Sequence, residues 1–138
     1  MFRVTREFNF CYGHRLLDYD GKCAHLHGHN GRATITLETK GLDRQGMVVD
    51  FSEIKRVVEG WLDDNLDHRM VLRRDDPAVE ALEKLGEPIL LLDENPTAEN
   101  LARLIFDFAA AKGFPVLEVR LWETPYCSAA YCPKGTSG

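Results

Sequence analysis

The sequence predicts an α+β fold: a four-stranded antiparallel sheet with two amphipathic helices on one face, in the order ββααββ. Two observations carry this expectation. Stretches near both ends of the chain alternate apolar and polar residues with the period of a half-buried strand. Two stretches between them repeat apolar residues at helical spacing. Helices with one apolar stripe need a sheet face to cover, and two hairpins supply it.

The elements follow in order. Phe2, Val4, Phe8 and Phe10 alternate with Arg3, Thr5, Glu7 and Asn9, interrupted only by Arg6, which gives a strand over about residues 2–10. Tyr12-Gly13-His14 follows, and Asp20-Gly21 marks a turn in the next loop. Ala33, Ile35 and Leu37 alternate with Arg32, Thr34, Thr36 and Glu38, a second strand over about residues 27–40. Asp50 with Glu53 three residues on reads as a capping box. Phe51, Ile54, Val58, Trp61 and Leu62 then form the core stripe of a helix over about residues 51–65. Asp76-Pro77 opens a short helix before Gly86, and Ile89 to Leu92 is a short buried extended segment. Thr97 N-caps a second long helix whose stripe is Leu101, Leu104, Ile105 and Phe108, closed by Lys112-Gly113. Leu117, Val119, Leu121 and Glu123 share one strand face. After Pro125 a last strand runs from Tyr126 to Cys132, followed by a polar tail. A sheet this small has free edges, which invites pairing with other subunits.

At 138 residues the chain, 1–138, is expected to be one domain with a real core. Its net charge of -5 argues against nucleic acid as a partner, because duplex binding needs a basic face. No apolar run reaches the roughly 18 residues of a membrane span. Arg3, Arg6 and Glu7 interrupt any signal-peptide pattern at the start, so the expected location is the cytoplasm. There Cys11, Cys23, Cys127 and Cys132 are expected as thiols rather than a disulfide frame.

The densest chemistry lies in Cys23-Ala24-His25-Leu26-His27-Gly28-His29, which holds three of the five histidines and one of the four cysteines. In an extended run Cys23, His25, His27 and His29 point to one face. Imidazole and thiolate both suit zinc, but spacing leaves open which of the four bind. His14 ends the first strand, so antiparallel pairing of the first two strands would bring it beside this run. Glu123 extends an aliphatic row as a carboxylate: either the strand end has already reached solvent there, or the carboxylate needs a cationic partner or a ligand with matching donors. Asp67-His68 is a carboxylate beside an imidazole, a common pair that means little alone.

Taken together, Gly13-His14-Arg15-Leu16, Cys23 through His29, Val49-Asp50-Phe51, Leu66-Asp67-His68, Pro96 through Leu101, and Glu123-Thr124 resemble the 6-pyruvoyl-tetrahydropterin synthase family over nearly the whole chain. The three residues between Cys23 and His27 are similar to the bacterial, 6-carboxy-tetrahydropterin-forming branch. The resemblance implies the tunnelling fold, with trimers closing a barrel, two trimers stacking into a homohexamer, and active sites between subunits. It implies His14, His27 and His29 as zinc ligands and Cys23 as catalytic base or nucleophile, helped by Asp67 and His68. It implies Glu123 as anchor of the pterin ring, with Thr97 and Thr124 near it. Arg15, Lys22 and Arg69 adjoin these residues and are the candidates for a triphosphate. Two positions differ from the family pattern: Tyr12-Gly13 precedes His14, and Pro125-Tyr126 follows Glu123-Thr124, where smaller residues are usual.

The implied reaction converts 7,8-dihydroneopterin triphosphate to 6-carboxy-5,6,7,8-tetrahydropterin, acetaldehyde and triphosphate, a step toward deazapurine-modified tRNA (queuosine). Its rivals are triphosphate elimination to 6-pyruvoyl-tetrahydropterin, another pterin side-chain cleavage, and a non-catalytic zinc-binding assembly protein.

Overall fold

Among the described residues six strands, not four, form the sheet, in the spatial order β4-β3-β1-β2-β5-β6. The computed structural model describes residues 1–134, so most of the polar tail expected after Cys132 lies outside the described residues. The four strands read from alternation are β1 (Phe2–His14), β2 (His27–Thr39), β5 (Val116–Thr124) and β6 (Cys127–Tyr131). They pair antiparallel in that order. The additions are β3 (Arg69–Arg73) and β4 (Ile89–Leu92), which join parallel to the end of β1. The four-stranded, all-antiparallel sheet is therefore corrected to a six-stranded mixed one. Arg69 to Arg73 is too short and too charged at its ends to show a strand period, and its partner lies far back in the sequence.

Both long helical segments cover one face. The first comprises α1 (Phe51–Ile54), a π-helical turn (Lys55–Glu59) and α2 (Gly60–Asn65). The second is α4 (Ala98–Ala111), and α3 (Ala78–Lys84) lies between them. Ile54, Val58 and Leu62 from the first and Leu101, Ile105 and Ala109 from the second pack against Phe8, Phe10, Ile35, Val119 and Leu121. Trp61 stacks on Phe108 at 4.7 Å between ring centroids, tying the two helices together.

The caps show how the chain begins its helices. Thr97 Oγ1 accepts from the Asn100 N–H at 3.1 Å, as its position before the apolar stripe predicts. Asp50 caps α1 through the Ser52 N–H at 2.9 Å, while Glu53 pairs with Arg56. The reciprocal capping box is thus replaced by a one-way cap, because Glu53 finds a cation on its own turn. Phe51, placed in the core by its spacing, is instead 45% exposed, at the first position of α1.

Asp76 is one of two buried polar side chains among the described residues. Its carboxylate receives the Arg15 guanidinium through both oxygens and caps α3 through the Ala78 N–H at 2.8 Å. The Arg15 bond, chiefly, holds the carboxyl below its ordinary 3.8. A lowered native value means the contribution is complete above about pH 4 and is lost as pH falls through the native value. Asp76→Ala should therefore cost about 3 kcal/mol at neutral pH, with a smaller deficit near pH 3, in urea unfolding. An equal deficit at both pH values would rule out the ion pair as its source.

Candidate active site

The site is built by one strand pairing. β1 and β2 stay in register through thirteen residue pairs, from Phe2↔Thr39 to His14↔His27. His14 therefore lies directly opposite His27, and His29 opposite Tyr12 shares their face. The three imidazoles form a near-equilateral triangle, with centroid separations of 4.5, 5.1 and 5.0 Å. One ring nitrogen from each lies within 4.8 Å of the others.

Hydrogen bonds fix the tautomers. His14 Nδ1–H donates to the Pro96 carbonyl at 2.6 Å and His27 Nδ1–H to the His25 carbonyl at 2.7 Å. Each bond leaves Nε2 with a bare lone pair. His27 Nε2 is buried with no partner among the described residues. His14 Nε2 and His29 Nε2 stand 3.2 Å apart. Burial, chiefly, lowers the pKa of His14 and of His29, and the Glu123 charge opposes the shift at both. An orphaned buried nitrogen within a triangle of imidazoles fits a divalent cation, and three nitrogen donors suit zinc.

A cleft of about 560 Å³ opens beside the triangle, lined by His14, Cys23, Thr97, Glu123 and Ser128. Glu123 is half-buried. Among the described residues its only ion-pair contact is with His29 Nε2 at 3.8 Å, so most of its acceptor capacity faces the cleft. Cys23 reaches the cleft from a 3₁₀ turn (Lys22–Ala24), not from a strand. The expected single extended face from Cys23 to His29 is corrected: β2 begins only at His27, and His25 is exposed. The chain turns there because the Cys23 carbonyl accepts from the Leu16 N–H at 2.8 Å, folding the loop back on β1.

The remaining candidates divide. Thr97 lines the cleft while capping α4. Thr124 Oγ1 accepts the Tyr126 and Cys127 N–H groups and is occupied by the β5–β6 turn. Arg15 is held by Asp76, Lys22 is exposed, and Arg69 donates to the Asp64 carbonyl at 2.8 Å. Asp67 and His68 lie in a separate groove with Cys11 and Asn30, away from Cys23 of the same chain. Among residues not picked out by sequence, Asn95 exchanges two 2.9 Å hydrogen bonds with the Leu17 backbone and pins the loop that carries Cys23. Its signal was the Asn-Pro before the Thr97 cap.

Two glycines make room for the site. A Cβ on Gly13 would stand 2.7 Å from the Met70 Cε of β3. One on Gly31 would stand 2.9 Å from the Tyr12 ring. That ring packs against His14 and His29, and its buried hydroxyl has no partner among the described residues. Burial, with the Glu123 charge adding, pushes the phenol well above its ordinary value and keeps it neutral.

The lowered imidazoles set a pH dependence. With native values below 6.5, the unfolded chain takes up protons first as pH falls, so stability is complete above that value and declines beneath it. Metal-free protein should melt at lower temperature near pH 5 than near pH 7, and Zn²⁺ should raise the melting temperature more at the higher pH. Calorimetry with and without a chelator checks this; a zinc shift independent of pH would contradict imidazole ligation.

Over residues 3–134 the chain matches the family model described as 6-pyruvoyl tetrahydropterin synthase. It is 37% identical over 134 residues to the 6-carboxy-5,6,7,8-tetrahydropterin synthase of Rickettsia bellii, covering 92% of this chain and 97% of that one. Its fold resembles the crystal structure of an uncharacterized protein from Wolinella succinogenes, with a TM-score of 0.81 and 26% identity over 96% of this chain and 98% of the other. It also resembles the 6-pyruvoyl tetrahydropterin synthase of Caenorhabditis elegans, with a TM-score of 0.70 and 26% identity over 95% and 94% of the two chains. With a fold and a match along nearly its whole length in common, the chain belongs to the 6-pyruvoyl tetrahydropterin synthase family.

Proposed function

We propose that the protein is a zinc-dependent 6-carboxy-5,6,7,8-tetrahydropterin synthase acting on 7,8-dihydroneopterin triphosphate. The observation that carries this is the histidine triangle beside Glu123, an underpaired carboxylate at the mouth of the same cleft. The name of the Rickettsia bellii relative supports the carboxy-forming reaction over its rivals.

His14, His27 and His29 would hold the zinc, with Nδ1 of the first two tied to carbonyls so that Nε2 faces the ion. Bound there, zinc supplies Lewis acidity toward an oxygen of the substrate side chain. Glu123, ionised, accepts two N–H groups from the amino-pyrimidine edge of the pterin, a bidentate match that sets the ring's orientation. Cys23, on the same cleft wall, takes the proton that the side chain must lose. Asp67 orients His68 through Nδ1 at 3.0 Å. Because this pair lies in another groove of its own chain, it serves a Cys23 supplied by a neighbouring copy. The outer strands β4 and β6 offer the edges for such an assembly, read here as a hexamer.

Product analysis with 7,8-dihydroneopterin triphosphate tests the reaction: acetaldehyde and 6-carboxytetrahydropterin are expected. Triphosphate release without acetaldehyde would assign the elimination instead. Cys23→Ala should keep one zinc per chain and lose turnover by about 10³-fold. Loss of zinc in that variant would make Cys23 a ligand and remove it as the base. Glu123→Gln should weaken pterin binding by about 100-fold with the melting temperature preserved, since a charged acceptor of two N–H groups becomes neutral. Unchanged affinity by calorimetric titration refutes the anchor.

A further inference from the structure

The loop from His14 to Cys23 joins a metal-site imidazole to the thiol of the cleft, and a side chain from far along the sequence fastens it. Asn95 meets the Leu17 backbone twice: Oδ1 accepts the Leu17 N–H and Nδ2 donates to the Leu17 carbonyl, both at 2.9 Å. That two-bond ring copies one hydrogen-bonded pair of an antiparallel ladder, so it fixes the position and the orientation of Leu17 together. One residue earlier, the Leu16 N–H donates to the Cys23 carbonyl at 2.8 Å. One residue later, Asp18 holds φ at 56°, a left-handed conformation that persists where neighbouring contacts impose it. Residues 18–22 are exposed, and the Asp18–Arg73 ion pair at 3.2 Å has its carboxylate in solvent. Cys23 is therefore placed through Leu16 and Leu17 more than through the turn that precedes it.

Asn95 is itself held. Its carbonyl accepts from the Thr97 N–H and from Asn100 Nδ2, each at 2.8 Å. Arg103 donates to Asn100 Oδ1 at 2.9 Å, which fixes the orientation of that amide. The next residue is Pro96, whose carbonyl accepts from His14 Nδ1 at 2.6 Å. Two consecutive residues rooted on the start of α4 thus grip the two chemical groups separately. Pro96 sets the His14 ring, and the Asn95 side chain sets the loop that carries Cys23. The separation of thiol and imidazole is defined by the end of a helix rather than by the exposed turn between them.

We propose that Asn95 is a positioning residue which, through Leu17, holds the Cys23 thiol at its reacting distance in the cleft, given Cys23 as the base proposed above. Proton abstraction depends steeply on that distance, and a displacement of about 1 Å costs about 100-fold in rate. Asn95 does not line the cleft, so its loss should appear in kcat and spare KM. Its backbone carbonyl survives any substitution, so Thr97, Asn100 and the Pro96 contact to His14 keep their bonds.

The test compares two variants of the full-length, zinc-loaded protein. Asn95→Ala removes both bonds to Leu17. Asn95→Asp keeps the volume and the acceptor for the Leu17 N–H but loses the donor. Turnover of 7,8-dihydroneopterin triphosphate is measured beside zinc content, melting temperature and amide hydrogen exchange by mass spectrometry. With alanine, kcat should fall about 100-fold, and with aspartate about tenfold; KM should stay within about twofold and zinc at one per chain. Exchange should quicken in residues 15–24 and stay unchanged in α4 (Ala98–Ala111). A lower melting temperature with kcat of the folded protein unchanged would mean a merely structural role and overturn the proposal. So would loss of zinc, or a fall in kcat without faster exchange in residues 15–24. If the alanine variant does not fold, the aspartate variant decides by the same readouts. Should Cys23→Ala lose turnover while both Asn95 variants keep kcat, the role of Asn95 alone falls. Should Cys23→Ala retain turnover, or the unmodified protein have none, the reading of Cys23 as the base falls and takes this role with it.

Discussion

The structure depends on the antiparallel register of β1 and β2. Thirteen consecutive pairs hold it, and the last is His14 with His27. A slip of one residue would turn His27 and His29 to the opposite face, because side chains alternate with period 2. What prevents the slip is the other end of the same strands. Phe8 and Phe10 on β1 and Ile35 and Leu37 on β2 are buried under the helices. The slip would turn Ile35 and Leu37 into water, at roughly 2 kcal/mol each, while Phe8 and Phe10 stayed under the helices. The placement of the imidazoles is thus secured by apolar burial many residues away, not by the imidazoles themselves.

Polarity enters the core where three rows run out together. On β1 the row Phe8, Phe10, Tyr12 ends in His14; on β5 the row Val119, Leu121 ends in Glu123; β2 contributes His29 and His27 beyond Gly31. The start of α4 closes this end, giving the Pro96 carbonyl to His14 and Thr97 to the cleft wall. The result is a half-dry pocket. Burial lowers the pKa of His14 and His29, which favours their neutral forms, and the Glu123 charge nearby opposes it. Neutral imidazole is the form that binds a metal, and a charged acceptor at the rim is the form that recognises N–H donors.

Much of this was legible in the residues. Alternation found β1, β2, β5 and β6, and the Thr97 cap found α4, because strand and helix periods are local properties of the chain. β3 and β4 were not legible as a parallel pair, since each is short and their place beside β1 is set by packing. Cys23 looked like part of a strand with His27 and His29 until the loop hydrogen bond from Leu16 turned it aside. Asp67 and His68 looked like companions of Cys23, yet within one chain the thiol they meet is Cys11.

The sequence by itself determined the kinds of ligand atoms, their parity along each strand and the boundaries of the main helices. Those follow from side-chain chemistry and from dihedral preferences a few residues long. Tertiary structure alone decided which imidazoles converge, which nitrogen of each faces inward, and on which side of the sheet Asp67 and His68 stand. The carbonyl that fixes His14 comes from Pro96, 82 residues away. Bonds of that span exist only once the sheet has closed and the helices have docked on it, so no window of neighbouring residues can encode them.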